Sequence, residues 1–230
     1  GEEVINLLWD VIAAKGFEAE TYFEMAARDI RALPKLEGTV HVNIALIVKF
    51  MANYFFNNTT YPELPRQDQP VNDDFLFVQG PARGLNKIRF HDYNLAYESR
   101  DLPNIAVFRE QIALFKKMLI TATPDEAQRQ DTDFLLGLGE IFTLIVYGQL
   151  ILENANIYQV DDDLVEQIFD FMVRDFSKFA LQLYSRQGST EGQMELLQKM
   201  FRKPVVNGER YRRVWENQVY ALNGVYEMNQ

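Results

Sequence analysis

Three consecutive residues carry the chemistry that this sequence offers most directly. Glu37, Gly38 and Thr39 stand in a short connector, Lys35-Leu36-Glu37-Gly38-Thr39, between two apolar stretches. A carboxylate held between apolar elements is desolvated, and desolvation raises its pKa toward the range of a general base. Gly38 lets the backbone turn and lets a ligand come close. Thr39 offers a hydroxyl and can cap the helix that follows, whose first N–H groups form a natural anion site. The same residues also read as a solvated loop acid and an ordinary helix cap. His41 lies four residues after Glu37, the spacing of a helical metal pair. A carboxylate diiron site needs repeated Glu-x-x-His motifs, and the sequence has none. It holds two histidines, His41 and His91, and no cysteine. Thiolate nucleophiles, disulfides and Cys-ligated zinc are therefore excluded.

The elements that must position this connector are helical. In Glu2–Ala14, Val4, Leu7, Leu8 and Val11 fall on one helical face, and Gly16 follows. A second helix is expected from Thr21, its cap, through Leu33, with Pro34 breaking it. Val40–Phe56 reads as a third helix, apolar on most faces and so expected to be buried. Asn57–Asp74 has three prolines among polar residues and reads as a linker. Phe75–Asp92 has no clean period and should dock irregularly. Helices resume at Pro103–Thr121. Thr123 is expected to cap a long helix from Pro124 to about Ala155, ~48 Å at 1.5 Å per residue unless Gly137, Gly139 or Gly148 bends it. Asp161–Ser185, with Leu164, Ile168, Phe171, Val173 and Phe176 inward, Thr190–Arg202 and Glu209–Leu222 complete the chain. The expected class is an all-α helical bundle. Residues 1–56 form a first helical part, 57–102 a linker and docking segment, and 103–230 an appended helical domain.

Composition narrows the partners. Thirty-three acids against 23 bases give a formal net charge of −10 over 230 residues. Such a surface repels phosphate backbones and anionic lipid, so neither nucleic acid nor a membrane is an expected partner. The most apolar run, Ile141–Leu152, is too short to span a bilayer. No basic n-region precedes an apolar stretch, and a cytoplasmic location is expected. Arg83, Lys87 and Arg89 read as a surface patch, and Arg210, Arg212 and Arg213 as salt-bridge partners of nearby acids. Glu140 and Glu153 read as helix-end or interhelix partners, Asp161 to Asp163 as a helix start.

The stretch 16–50 resembles the end of the C-terminal helical domain of acyl-CoA dehydrogenases. Gly16-Phe17, Arg28-Asp29 and Leu36-Glu37-Gly38-Thr39 stand together at that family's spacing. Later stretches, including FVQGPARGLNKIRFHD and GEIFTLIVYGQLILENA, look like the extra C-terminal region of large bacterial members. The resemblance implies that Glu37 is the base removing the α-proton of an acyl-CoA, with FAD taking the β-hydride to leave a trans-2-enoyl-CoA. It implies FAD contacts from Gly38, Thr39 and His41. It also implies a homo-oligomer, with an electron-transfer flavoprotein as a possible acceptor. His41 stands where the family usually has Gln. Ala13-Ala14-Lys15-Gly16 stands where many members have Gly-Gly-x-Gly, with Asp10 replacing an upstream Gln. The chain begins only a couple of helices before Glu37, so the expectation is a C-terminal piece that does not turn over substrate alone. An acyl-CoA oxidase and a non-catalytic helical oligomerisation module are the alternative expectations.

Overall fold

In the computed structural model, the structure describes residues 1–19, 21–36, 38–61, 72 and 88–225. The described chain is an all-α helical bundle. The one β-bridge among these residues joins Thr59 to His91. Two compact units form: Gly1–Leu46 with the chain from Val206 onward, and Ile47–Val205.

The first unit contains α1 (Glu2–Ile12), α2 (Tyr22–Leu36), α3 (Val40–Val48, its last two residues in the other unit) and α11 (Gly208–Val214). Glu2 and Glu3 occupy the first turn of α1, where the helix dipole favours acids. Thr21 caps α2 by accepting from the Glu24 N–H at 3.2 Å. Pro34 lies inside α2 rather than ending it. A proline two residues from the end removes one backbone bond only, and the Lys35 ammonium, 2.7 Å from the Arg31 carbonyl, supports the last turn. The expected burial of the third helix does not occur: no described residue of α3 is buried. The helix also stops at Val48 and restarts as α4 (Met51–Phe56). The Phe50 N–H reaches back three residues to Ile47 at 2.9 Å, and this tighter turn sends Tyr54 and Phe55 into a core.

That core belongs to the second unit. It is built by α4, α5 (Tyr93–Glu98), α6 (Pro103–Thr121), α7 (Glu126–Gln130), α8 (Thr132–Ile157), α9 (Asp162–Tyr184) and α10 (Glu191–Lys199). Local signals set most boundaries. Pro103 opens α6, Asp161 caps α9 through the Asp163 N–H, and Thr190 caps α10. Thr123 does not start the next helix. Its hydroxyl donates to the Leu119 and Ile120 carbonyls and closes α6 instead. Asp125 caps α7 in a capping box with Gln128, and Asp131 caps α8. Phe171 is exposed, while its neighbours Phe169, Val173 and Phe176 are fully buried.

Helix α8 has 26 residues and is apolar and long enough to cross a membrane by length and composition, although its most apolar run is shorter. In this fold 56% of its most apolar window is buried. It packs against α5 and α9. The closest approach is at Gly148. A Cβ there would meet the Tyr97 hydroxyl directly and lie 3.1 Å from Met172 Cε and 3.4 Å from Phe108. The missing side chain also uncovers the Ile145 carbonyl one turn earlier, to which Tyr97 donates at 2.7 Å.

Gly148→Ala is therefore expected to destabilise the second unit by about 1–3 kcal/mol through overpacking. Adding Tyr97→Phe, which removes the obstructing oxygen, should recover part of the loss. Urea midpoints of the two single variants and the double variant measure this coupling; additive losses would show that the two sites do not interact.

Candidate functional site

Of the connector that the sequence singled out, Gly38 and Thr39 are described between α2 and α3. Glu37 itself lies outside the described residues. Gly38 has φ +96°, a conformation that L side chains rarely adopt. Space is not the constraint there, since an added Cβ would find its nearest atom, Asn43 Oδ1, at 3.7 Å. The requirement for glycine is thus a backbone one. The next residue, Thr39, accepts the first α-helical bond of α3 on its carbonyl, from Asn43 N–H at 3.1 Å. Its side-chain oxygen accepts from Val42 N–H at a long 3.4 Å. Thr39 is thus the cap its position suggested. His41 is exposed in the first turn of α3. The structure therefore gathers Gly38, Thr39 and His41 on one exposed turn. Leu33, Leu36, Val40 and Val42, its neighbours in sequence, are also exposed.

A second feature of this unit was not legible from residue types. Ala13, which follows α1, has φ 52° and ψ −130°. This region suits glycine and strains any residue with a Cβ. A 3-10 turn, Ala13–Phe17, follows. Gly16 is buried in it beneath the indole of Trp9, whose Nε1 would lie 2.6 Å from an added Cβ. Trp9 also packs on Phe17 and Phe23, with ring centroids 4.7 and 5.5 Å away, and the Arg31 guanidinium sits 4.9 Å over the ring. Its indole N–H is buried without an acceptor. Trp9 and Gly16 stand seven positions apart, a helical spacing, but the α-helix ends at Ile12 between them, so helical periodicity does not predict this contact.

The second unit buries a chain of polar groups. Tyr54 donates to Gln149 Oε1 at 2.6 Å, and Gln149 in turn donates to Glu153 at 2.7 Å. Glu153 thus pairs within its own helix, four residues from Gln149, rather than between helices. Tyr54 also stacks on Tyr93 at 4.9 Å. Burial pushes the phenols of Tyr54 and Tyr97 well above the ordinary tyrosine value, with neighbouring tyrosines adding to the effect. Tyr54 and Gln149 contribute to the walls of an apolar groove of about 530 Å³ between Phe50, Phe90 and the outer side of α8. His91, at its edge, accepts from Tyr61 N–H at 3.2 Å and so has a structural partner.

Two of the basic residues that the sequence singled out bond to neighbours. Arg212 pairs with Glu209 and Glu216 at 3.0 and 2.9 Å. Arg89 donates to Asn57, while Arg83 and Lys87 lie outside the described residues. Among the described residues no three His, Asp or Glu side chains group as metal ligands. Comparison with protein-family models, with curated proteins and with solved structures found no match to this chain.

Two expectations follow. Ala13→Gly should stabilise the chain by roughly 0.5–2 kcal/mol, the relieved strain less the entropy cost of glycine. A lower denaturation midpoint would show that the positive φ is not held in solution. The raised phenol pKa values act in the alkaline range. Their contribution to stability is intact below pH ~10, where unfolded tyrosine is also neutral, and is lost as pH rises above it because only the unfolded state ionises readily. Stability should therefore fall above that pH, less steeply in Tyr54→Phe, as read by denaturation midpoints across the range.

Proposed function

We propose that this chain is the C-terminal part of a flavin-dependent acyl-CoA dehydrogenase, with Glu37 the base that removes the α-proton of the acyl thioester. The observation that carries the reading is the turn itself. A glycine held at φ +96° and a capping threonine immediately follow the carboxylate, between two helices whose apolar residues are exposed. A catalytic carboxylate needs such a setting once the rest of the enzyme covers it. Ala13 supports the same reading. Its glycine-like backbone occurs where the family pattern calls for glycine.

The residues of the 38–41 turn fit a flavin nucleotide. Gly38 presents bare backbone, the Thr39 hydroxyl can donate to an acceptor oxygen, and the exposed His41 imidazole can donate or accept. Gly16 does not fit, because the Trp9 indole occupies the space beside it. When bound, FAD supplies the acceptor for the β-hydride. The chain's own task is the proton. Two effects on Glu37 oppose each other. The start of α3 favours the anion by about 0.3–1 kcal/mol, which weakens the base. Desolvation by a covering domain and substrate raises a carboxylate by up to ~3–5 pKa units, several times more energy. Burial wins, and the covered glutamate becomes a stronger base than an exposed one.

The product is a trans-2-enoyl-CoA. Electrons leave to an electron-transfer flavoprotein in a dehydrogenase or to oxygen in an oxidase, and peroxide formation separates the two. In the full-length enzyme, Glu37→Gln should lower turnover by about 10²–10⁴-fold, the usual worth of a positioned general base, with little change in thermal stability. Turnover at the wild-type rate would remove Glu37 from the mechanism and leave the reading of a non-catalytic helical module.

A further inference from the structure

A groove of about 670 Å³ runs between α5 and the outer side of α6, wholly within the second unit. Small side chains give it depth. Ala106 and Ala113 stand seven residues apart on α6, both exposed, while buried Tyr93, Tyr97 and Ile112 form the apolar base. The lip is charged, and its sign runs against that of the chain. Arg109, Lys116 and Lys117 line it with a single acid, Glu110, in a chain of net charge −10.

Two of these four charges are already answered. Arg109 lies 3.3 Å from Glu98, and Glu110 lies 3.5 Å from Arg202. The lysines differ, since neither has an ion-pair partner among the described residues. Lys116 is nevertheless held in place. Its ammonium stands over the rings of Tyr93, Phe56 and Phe55 at 5.4, 5.8 and 6.0 Å. Ring faces attract a cation without neutralising it. A half-buried ammonium positioned beside an apolar recess is the kind of polar anchor that orients a small molecule. We propose that this groove binds a free long-chain carboxylate, with its head between Lys116 and Lys117 and its chain lying along α6 toward Ala106.

The lining selects this class of ligand. An inorganic anion would meet the lysines and leave the apolar base wet. A nucleotide base needs an open ring face, and Tyr93 has none, because Tyr54 stacks on it at 4.9 Å and Lys116 stands over it. A covering helix would meet charge at the lip and could bury, of the exposed side chains of α6 there, only the apolar Ala106, Ala113 and Ile120. A slender chain enters the recess between the charges without displacing them. From Ala106 to Lys117 the helix rises ~16 Å at 1.5 Å per residue, room for an extended acyl chain. The volume falls within the ~300–1,000 Å³ of small-molecule sites. Occupancy of this groove, in the second unit, is independent of the role of Glu37.

Titration calorimetry of the 230-residue chain with dodecanoate, butyrate and dodecyltrimethylammonium tests this. Dodecanoate should fill a single site, and butyrate should bind on the order of a hundredfold more weakly because most of the buried methylenes are gone. The cationic amphiphile should not saturate. Ala113→Leu fills the recess and keeps every charge, while Lys116→Gln with Lys117→Gln keeps the recess and removes the anchor. Each change should weaken dodecanoate binding roughly tenfold with an unchanged helical signal, the loss of about one charge-assisted contact or its equivalent in apolar burial. Thr143→Trp, in the separate groove beside α8, should leave binding unchanged. No saturable dodecanoate binding, equal binding of the cationic amphiphile, loss in Thr143→Trp with retention in Ala113→Leu, or capture by phosphatidylglycerol vesicles in preference to free dodecanoate would each overturn the proposal.

Discussion

A helix that is apolar on nearly every side has to be approached from several directions at once, and α8 sets this problem for the second unit. Its solution is steric. At Gly148 the tyrosine of α5, a methionine of α9 and a phenylalanine of α6 converge where a side chain would stand, and Gly137 admits Leu183 of α9 in the same way. Fully buried Phe108, Phe169 and Phe176 then meet edge to face around the crossing, at centroid distances of 5.4 Å. Apolar burial of this kind is strong but undirected. It explains why the helices collapse together, not why they stop in one register.

Register comes from a few buried polar side chains that each tie three segments. Asn104, in the first turn of α6, donates its backbone N–H to both Glu166 oxygens and exchanges side-chain bonds with Val205. The Gln111 amide donates to Val173, Ser177 and Met200, joining α6 to α9 and to the end of α10. Gln128 and Gln193 bond each other in both directions at 2.8 and 3.0 Å, and each also completes the capping box of its own helix. Arg100 reaches the Ala155 carbonyl in the last turn of α8, the Val160 carbonyl beyond it and Asp162 of α9 with one guanidinium. A slip of one residue at any of these points leaves a buried polar group unpaired at about 1–3 kcal/mol, a large share of a domain's total stability.

This division of labour explains what was readable in advance. Helix starts at Pro103, Asp161 and Thr190 were legible because a cap is a local event, decided within four residues. The cap at Thr39 and the chain reversal at Gly38 were legible for the same reason. Choices between equivalent neighbours were not. Thr123 and Asp125 both offer a cap, and the structure uses the first to end one helix and the second to begin another. Phe169 and Phe171 are equally apolar, yet residues two apart cannot share a helix face, and only the packing of α6 and α8 on α9 selects Phe169. The reciprocal glutamines are long-range, and the Trp9 contact with Gly16 crosses the end of a helix that the sequence places later, so neither could be read from the pattern.

The third helix shows where a correct local reading meets a wrong inference. Its apolar character is plain, and apolar helices are normally buried, yet no described residue of α3 is. Among described residues 1–46, burial reaches only Ile5, Gly16 and Ala27. That is too little enclosed apolar surface to order so many residues by itself, since each costs about 1–2 kcal/mol of backbone entropy. Stripes such as Val4, Leu7, Leu8 and Val11 on α1 stay in solvent at a cost of about 25 cal/mol for each Å² left uncovered. On the proposed reading of Glu37 as a base, one covering surface meets two requirements: it buries helices that cannot enclose themselves, and it supplies the desolvation that raises a carboxylate. A carboxylate already buried in the unliganded fold would instead destabilise it.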